Sequence, residues 1–353
     1  MKWLMLVLLF LFALYTNAQA SKFLVKPDGT GGYPTIQAAI NVAASGDSIL
    51  LADGIFTGPG NRDIHSPFGK LTIIYSVSND PEACVIDCQF QGSGFSFVTP
   101  ASGSLLRGIT VKNANQTGIV VNGGQMAISS CRVESCQGGG LILMYCQVQL
   151  DHCLIQQNSS PVIGGGLYLL SADGQITSCQ IIGNESQSGG GLFLESHVDI
   201  VMTGCLIADN RANNGAGIFG YDPHSVTLTS CDVVANHGGG IWANSGQWSF
   251  DHDIIALNEG YGLWSSSSRP ISCTDIWGNL GGDWVGGIVG LLGQAGNICE
   301  NPLFCHPSQG DYFLDYLSPC IIAACGLIGC LPPACGTIPV EETTWGGIKA
   351  KYE

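Results

Sequence analysis

The chain has 353 residues, including 50 Gly and 16 Cys, and carries a formal net charge of −15 at pH 7. So acidic a surface lacks the lysines and arginines that neutralise phosphates, which excludes nucleic acid and anionic membranes as partners. Because 45% of the residues are hydrophobic and only 11% are charged, the chain is predicted to fold rather than to remain disordered.

The N-terminal segment has the pattern of a secretory signal. One lysine precedes an apolar run from Trp3 to Tyr15, and Ala18-Gln19-Ala20 supplies the small residues of a cleavage site. The run is too short for a comfortable membrane span, and no later segment approaches that length. We therefore expect residues 1–20 to be removed and the mature protein, without a span, to be secreted or displayed at the cell surface.

The segment "YPTIQAAINVAAS" predicts a short capping helix. Thr35 is its expected N-cap, and Ile36, Ala39, Ile40 and Ala43 share one apolar face. Such a helix would cover strand edges at the first end of a repeat array. The following "GDSILLADGIFTG" and "KLTIIYSV" predict the opening strands.

A repeat of 20 to 26 residues dominates the rest of the chain. One position of the repeat, which we call the slot, recurs in every coil. We assign it to Gly108, Cys131, Cys153, Cys179, Cys205, Cys231, Asp253 and Cys273. The position five residues later holds Asn113, Asn158, Asn184, Asn210, Asn236 and Asn258. Around each slot apolar and polar residues alternate, as in strands with one buried face. Glycine runs at 138–140, 164–166, 189–191 and 238–240 predict tight corners.

Three short strands per repeat predict a solenoid. Successive coils would pair in parallel about 4.8 Å apart and bury a common lumen, with the asparagines bonding coil to coil. A propeller blade needs about 40 residues, which these steps do not supply. The sequence therefore predicts an all-β parallel β-helix.

Several stretches carry a family resemblance. "TIQAAINVAASGDSILLADGIFTG", the Asn and Gly-Gly-Gly coils, and "NPLFCHPSQGDYFLDYLSPC" resemble the right-handed parallel β-helix repeat proteins of the pectin-lyase-like group. The resemblance covers about residues 23–322 and implies a single-stranded, right-handed β-helix over 21–322. It does not imply one activity, because that group includes lyases, hydrolases, epimerases and adhesins.

The cysteines fall into two sets. Those in the repeat slot would stack in the lumen with parallel Cβ vectors, a geometry that suits a disulfide badly, so we expect them to be reduced. Cys84 and Cys88 are too far apart along a strand to pair with each other. Residues 323–336 are predicted to form a Cys-rich C-terminal cap, followed by a flexible tail, 337–353, that resembles a sorting signal. The disulfide candidates are Cys320, Cys325, Cys330 and Cys335. Cys320–Cys325 with Cys330–Cys335 is the preferred pairing of three, and a zinc site is the alternative.

One binding surface stands out. The strand after each glycine run is expected to turn an aromatic ring outward, at Tyr168, Phe193, Phe219, Trp242 and Trp264. A row of rings at coil spacing suits a glycan chain, whose residues repeat at a similar length and stack on flat apolar surfaces. The alternative is that the rings only stabilise one another.

Catalytic residues are harder to place. Active members of the resembled group use clustered Asp, or calcium-binding Asp with an Arg or Lys base, and no such triplet occurs here. The loop residues Glu195, Asp222 and His224 are the candidates for an acid and a base, whereas Glu185 and Arg211 are expected to form a cross-coil ion pair. No metal or cofactor is expected, and calcium would enter only if the protein were a lyase.

Three functions remain open. The first is non-catalytic binding of a polysaccharide or another surface ligand along the aromatic row. The second is a carbohydrate-active enzyme, either a polysaccharide lyase or a glycoside hydrolase. The third is a structural spacer or adhesin.

Overall fold

The computed structural model describes residues 20–336, which wind into coils whose strands form three parallel sheets. Each coil passes through sheets A, B and C in turn. Sheet A contains Lys22–Val25, Ser48–Leu51, Ile73–Ser76, Ser104–Arg107, Gln125–Ser129, Gln147–Asp151, Asp173–Thr177, Asp199–Thr203, Ser225–Thr229, Gln247–Asp251 and Ile271–Ser272. Sheet B contains Gly54–Phe56, Cys84–Asp87, Thr110–Lys112, Arg132–Glu134, Leu154–Gln156, Gln180–Ile182, Leu206–Ala208, Asp232–Val234, Ile254–Ala256 and Asp275–Trp277. Sheet C contains Ile64–Ser66, Phe95–Val98, Ile119–Asn122, Leu141–Met144, Leu167–Leu170, Leu192–Glu195, Ile218–Tyr221, Ile241–Trp242 and Leu263–Trp264.

This arrangement is the predicted right-handed parallel β-helix. Residues that alternate along every strand point into one apolar lumen, which runs the length of the coils. The slot cysteines Cys131, Cys153, Cys179, Cys205 and Cys231 are buried there as free thiols, as expected. Burial raises the pKa of the Cys131 and Cys231 thiols well above the ordinary value, which keeps them protonated.

At both ends of the series of coils, the slot lies one residue away from its predicted position. Strand pairing sets Thr110 opposite Arg132, so Ile109 rather than Gly108 precedes Cys131 in the lumenal slot. At the other end Ile254 pairs with Asp275, so the slot after Asp253 belongs to Thr274 and not to Cys273. A one-residue slip reverses the direction of a side chain, so Cys273 points out of the lumen.

The predicted asparagine ladder is confirmed from Asn158 to Asn258 and extends to Asn279. Asn113 does not belong to it, because strand pairing places Ala114 at the ladder position of that coil and the Asn113 side chain donates to Asp87 Oδ1 instead. The side chain of each asparagine accepts a hydrogen bond from the backbone N–H of its counterpart one coil earlier, for example Asn184 N to Asn210 Oδ1 at 2.9 Å. The glycine at the end of each run packs against this ladder. A Cβ on Gly191 would lie 2.6 Å from the carbonyl oxygen of Gly217 and 3.0 Å from Asn210 Nδ2, so no larger residue fits.

Both ends of the lumen are covered. The predicted capping helix spans Ile36–Val42, and the Thr35 hydroxyl accepts a hydrogen bond from the Ala38 N–H as its N-cap. After the last coil, the 3-10 helix Gly286–Leu291 adds Ile288 to the lumenal core. No helix within residues 20–336 is long and apolar enough to cross a bilayer.

The chain then returns along the side of the coils as a segment that we call the strap, residues 302–336. It contains the strands Phe304–His306, Asp311–Asp315 and Pro333–Cys335, which form a small fourth sheet. The 3-10 helix Pro307–Gln309 and the short α-helix Pro319–Ile322 also belong to it.

The strap covers the outer face of sheet B. A second apolar cluster joins Leu206, Val234 and Ile254 of that face to Tyr312 and Leu314 of the strap. Several strands of sheet B are therefore buried on both faces. The Cys-rich C-terminal segment, 323–336, lies along the side of the coils as part of this strap.

The predicted disulfide pairing is wrong. The bonds are Cys273–Cys325, which ties the strap to the coils, and Cys305–Cys335, which lies within the strap. Cys320 and Cys330 are instead free thiols. Their side chains lie against buried carboxylates of sheet B, with Cys330 Sγ 3.0 Å from Asp232 Oδ2 and Cys320 Sγ 3.3 Å from Asp275 Oδ2. Residues 1–19 of the predicted signal sequence and the predicted tail, 337–353, lie outside the described residues.

Candidate functional site

The five predicted aromatic residues form one row on the outer face of sheet C. Strand pairing sets them opposite one another on successive coils, in the order Tyr168, Phe193, Phe219, Trp242 and Trp264. Neighbouring ring centroids are 6.0, 5.2, 5.9 and 4.1 Å apart along the row. The alignment of the row is thus confirmed.

Stacking limits what this row offers to a ligand. From Phe193 to Trp264 adjacent rings lie within 19° of parallel, so each ring covers the face of the next. Phe193 is only 6% exposed, and the other rings are half-buried. A sugar stacks on an open ring face, so most of the row presents edges only.

Open aromatic surface gathers at the end of the row. There Trp242 and Trp264 join the exposed Tyr261 around a hollow of about 220 Å³, whose other walls include Asn213 and Gly238. We call this site the aromatic hollow. It is the part of the row at which a planar ligand has room to lie against a ring.

The predicted acid–base candidates each have a hydrogen-bond partner other than one another. Glu195 accepts a hydrogen bond from the Tyr168 hydroxyl at 2.5 Å, which holds it on sheet C. His224 pairs instead with Asp199 through Nδ1, at 2.6 Å. Asp222 is exposed and bonds through its backbone N–H to Ser245. No contact joins these three carboxylate and imidazole groups in residues 20–336.

A larger cavity, of about 940 Å³, follows the corner between sheets B and C. We call it the corner groove. Its floor is a column with one polar side chain per coil, and the members are Gln137, Ser159, Glu185, Arg211, His237 and Glu259. Each member directly follows the ladder slot of its coil in sequence. The groove adjoins the aromatic hollow, because Asn213 and Gly238 line both.

The ladder fixes the positions of the column. The backbone N–H of Glu185 bonds to the carbonyl of Asn158, that of Arg211 to Asn184 and that of His237 to Asn210, all at 2.8 to 2.9 Å. Since the asparagines are locked in the core, the next residue of each coil must point into the groove at coil spacing. This offset of one residue after the asparagine was the sequence signal for the site, and it was missed.

Some charged side chains of the column have an ionic partner and others do not. His237 Nδ1 lies 2.8 Å from Glu259 Oε1, but the contact is out of line with the ring N–H and is an ion-pair approach rather than an aligned hydrogen bond. The expected ion pair between Glu185 and Arg211 does not form, although their backbones are bridged. Arg211 is exposed and has no side-chain hydrogen bond or ion pair within the described part of the chain.

Each of the other arginines has a side-chain contact, although Arg107 Nε is buried without a hydrogen-bond partner. Arg62 donates to Gln89, Arg107 lies over the Tyr75 ring, and Arg132 pairs with two glutamates. Arg269 donates to backbone carbonyls and to Ser265. Arg211 is therefore a free cation at the centre of a groove in an otherwise acidic protein.

The groove does not contain a glycosidase pair. Glu185 and Glu259 are three coils apart, or about 14 Å at the usual strand spacing. The two carboxyl groups of a glycosidase are separated by about 5 to 9.5 Å. The arrangement provides hydrogen-bond donors and acceptors in a line, with one cation and one imidazole, and suits recognition of a hydroxyl-rich chain.

The comparison with protein-family models agrees with the fold. A family model described as "Right handed beta helix region" matches residues 93–255. A solved pectate lyase, Pel9A, is similar at 14% identity and a TM-score of 0.49 over 74% of this chain and 71% of that one. A mannuronic acid specific polysaccharide family 6 lyase from human gut microbiota is similar at 11% identity and a TM-score of 0.28, over 73% and 81%. No curated protein matches the chain.

Proposed function

We propose that this right-handed parallel β-helix protein binds a glycan chain outside the cell, without catalysis, in the corner groove and the adjoining aromatic hollow. The signal-sequence pattern and the two disulfides support the extracellular location, since disulfides persist in oxidising compartments. The glycan would run along the corner of the coils, parallel to the axis.

The continuity of groove and hollow carries this proposal. Polar side chains recur at each coil, about 4.8 Å apart, which matches the repeat of an extended sugar chain closely enough for one contact per sugar. At the end of that line the hollow adds open aromatic surface beside Trp264. A ligand site usually combines apolar walls with a few polar groups that form hydrogen bonds to the ligand.

Charge indicates which glycans fit. With a formal net charge of −15, the protein repels a long polyanion, and the one arginine of the groove, Arg211, does not offset this. A neutral chain, or one with sparse acidic substituents, meets no such barrier. Arg211 would then donate to hydroxyls or to one isolated anionic group.

Affinity electrophoresis in gels containing neutral and acidic polysaccharides tests the proposal. We expect a neutral or weakly substituted glycan to retard the protein, and Arg211→Ala or Trp264→Ala to weaken this binding by about tenfold, or ~1.4 kcal/mol. Tyr145→Ala, which removes an exposed ring away from the groove, is the matched control and should bind normally. No retardation by any glycan would leave the spacer or adhesin function.

One observation favours an enzyme as the second candidate. His237 lies beside Glu259 in the groove, and a histidine next to a carboxylate can act as a base. Incubation with the same glycans, with and without calcium, should yield no reducing ends or unsaturated products if the protein only binds. Products that disappear in His237→Ala would replace the binding proposal with catalysis.

A further inference from the structure

Three metal-binding side chains converge where the strap meets the coils. Each of His252, Cys273 and Cys325 offers one ligand atom, and these atoms lie within 4.8 Å of one another. His252 and Cys273 occupy the same corner of adjacent coils, because Asp251 pairs with Ser272 one residue earlier. The third group is brought by the strap. The cluster lies outside the corner groove and plays no part in the proposed glycan binding.

The histidine is already held in the orientation that a metal requires. Its Nδ1 lies 3.0 Å from Asp251 Oδ2, and the other oxygen of Asp251 accepts a hydrogen bond from the Ser272 hydroxyl at 2.7 Å. Nε2 faces the strap, 3.3 Å from the carbonyl oxygen of Cys325. A carboxylate on one ring nitrogen is the usual outer contact of a metal-bound histidine, and Nε2 would exchange its contact with the Cys325 carbonyl for the metal.

We propose that, in the dithiol form of the protein, His252, Cys273 and Cys325 bind a borderline-soft divalent cation such as Zn²⁺. Two thiolates and one imidazole are ligands that Zn²⁺ and Cd²⁺ prefer. All three residues are half-buried, so solvent reaches the cluster and water completes the coordination.

The two forms interconvert by a balanced reaction. A dithiol reductant gives two electrons and two protons to the Cys273–Cys325 disulfide, becomes a disulfide itself and leaves two thiols. The cation then displaces both thiol protons, while the neutral imidazole contributes its Nε2 lone pair. Either the covalent bond or the metal thus ties the strap to the coils.

The second disulfide provides an internal contrast. Cys305 and Cys335 are both strap residues, and no third ligand converges on them within residues 20–336. Reduction of that pair should create no comparable site. The property belongs to the disulfide that joins strap and coils.

Reduction of the whole protein with a phosphine in the presence of Cd²⁺ tests the proposal. We expect one Cd²⁺ per chain bound with thiolate-to-metal absorbance in the ultraviolet, a circular dichroism spectrum like that of the oxidised protein, and no such absorbance before reduction. His252→Ala, which keeps every cysteine, should bind Cd²⁺ at least tenfold more weakly. The double variant Cys305→Ser/Cys335→Ser should bind like the unaltered chain.

Two results would overturn the proposal. One is equal Cd²⁺ affinity of the unaltered and His252→Ala proteins after reduction, which would assign the absorbance to other thiols. The other is loss of structure on reduction even with Cd²⁺ present, because a bound cation should hold the strap in place. A smaller loss of affinity in Asp251→Asn than in His252→Ala would support the orienting role of that carboxylate.

Discussion

Single side chains of the asparagine ladder satisfy several backbone groups at once. Asn210 Oδ1 accepts from the backbone N–H and the side-chain amide of Asn184, at 2.9 and 3.0 Å. Its Nδ2 donates to the carbonyl of Ile181 and to Asn236 Oδ1, at 2.8 and 3.0 Å. All of these atoms are shielded from water, so deletion of one amide leaves several polar groups unpaired in the core.

We therefore predict that Asn210→Ala lowers the free energy of unfolding by about 3 kcal/mol or more, because each stranded buried group costs about 1 to 3 kcal/mol. Urea denaturation followed by circular dichroism measures this loss. Asn244→Ala is the control, since Asn244 is exposed and should change stability by less than about 0.5 kcal/mol. Equal losses in the two variants would show that the ladder does not stabilise the coils.

Sequence reasoning succeeded at residues that repeat in several coils and failed at the two ends of the series. The slot cysteines and ladder asparagines were predicted because each recurs at an unchanged offset in several coils. Gly108 and Cys273 were misplaced because each lies one residue before the true slot, which is held by Ile109 and Thr274, and so imitates it at nearly the right spacing. A one-residue error at Cys273 hid both its disulfide and its position beside His252.

At the scale of elements, the strap buries carboxyl groups that would otherwise be ionised. Burial raises the pKa of Asp232 and that of Asp275 to about 7, from 3.8, and burial also raises that of Asp253 in the lumen. Between about pH 4 and 7 the folded protein therefore binds more protons than the unfolded chain. Stability falls as the pH rises through this window, and above it the penalty from Asp232 and Asp275 is complete.

From this we predict that Asp232→Asn removes part of the pH dependence. An amide cannot ionise, so the variant should be more stable than the unaltered protein at pH 8, by up to ~4 kcal/mol, and nearly unchanged at pH 4. Urea midpoints at a series of pH values provide the measurement, and Asp222→Asn, an exposed position, should follow the original curve. Parallel curves for Asp232→Asn and the unaltered chain would contradict the assignment.

The strap itself could not have been predicted in detail. Its contacts join residues far apart in sequence, such as Cys330 and Asp232, 98 positions apart. Four cysteines at regular spacing suggested local pairs, but the strap runs extended over sheet B and brings each cysteine to a different partner. The sequence did contain one indication, since Leu206–Ala208 and Ile254–Ala256 are apolar at consecutive positions and so require cover on both faces.

At the scale of the whole molecule, the coil is the unit of construction. Strand pairing sets Arg132 opposite Leu154 and Val133 opposite Ile155. A deletion that begins at one residue and ends just before its paired residue therefore removes one complete coil. The fold class was predictable for this reason, because every coil repeats the same evidence of alternation, slot and corner. The corner groove was not predictable as a cavity, since its depth depends on how the loops between sheets B and C stack.

We predict that deletion of residues 132–153, one coil, yields a folded protein shorter by about 4.8 Å. Deletion of 132–142, half a coil, should unfold it, because every later strand would then meet the wrong sheet. Circular dichroism and small-angle X-ray scattering distinguish these outcomes. Folding of both variants would show that coil register does not control the fold.

The strap also makes the two halves of the molecule unequal under tension. It grips Asp209 through Tyr312, His252 through Gly329, and Cys273 through a covalent bond, so the rungs between these points are fastened side by side. The earlier rungs are joined only to their immediate neighbours. Pulled from its two termini, the rod should peel from the N-terminal end one rung at a time and then resist abruptly, as the fastened block must give way together.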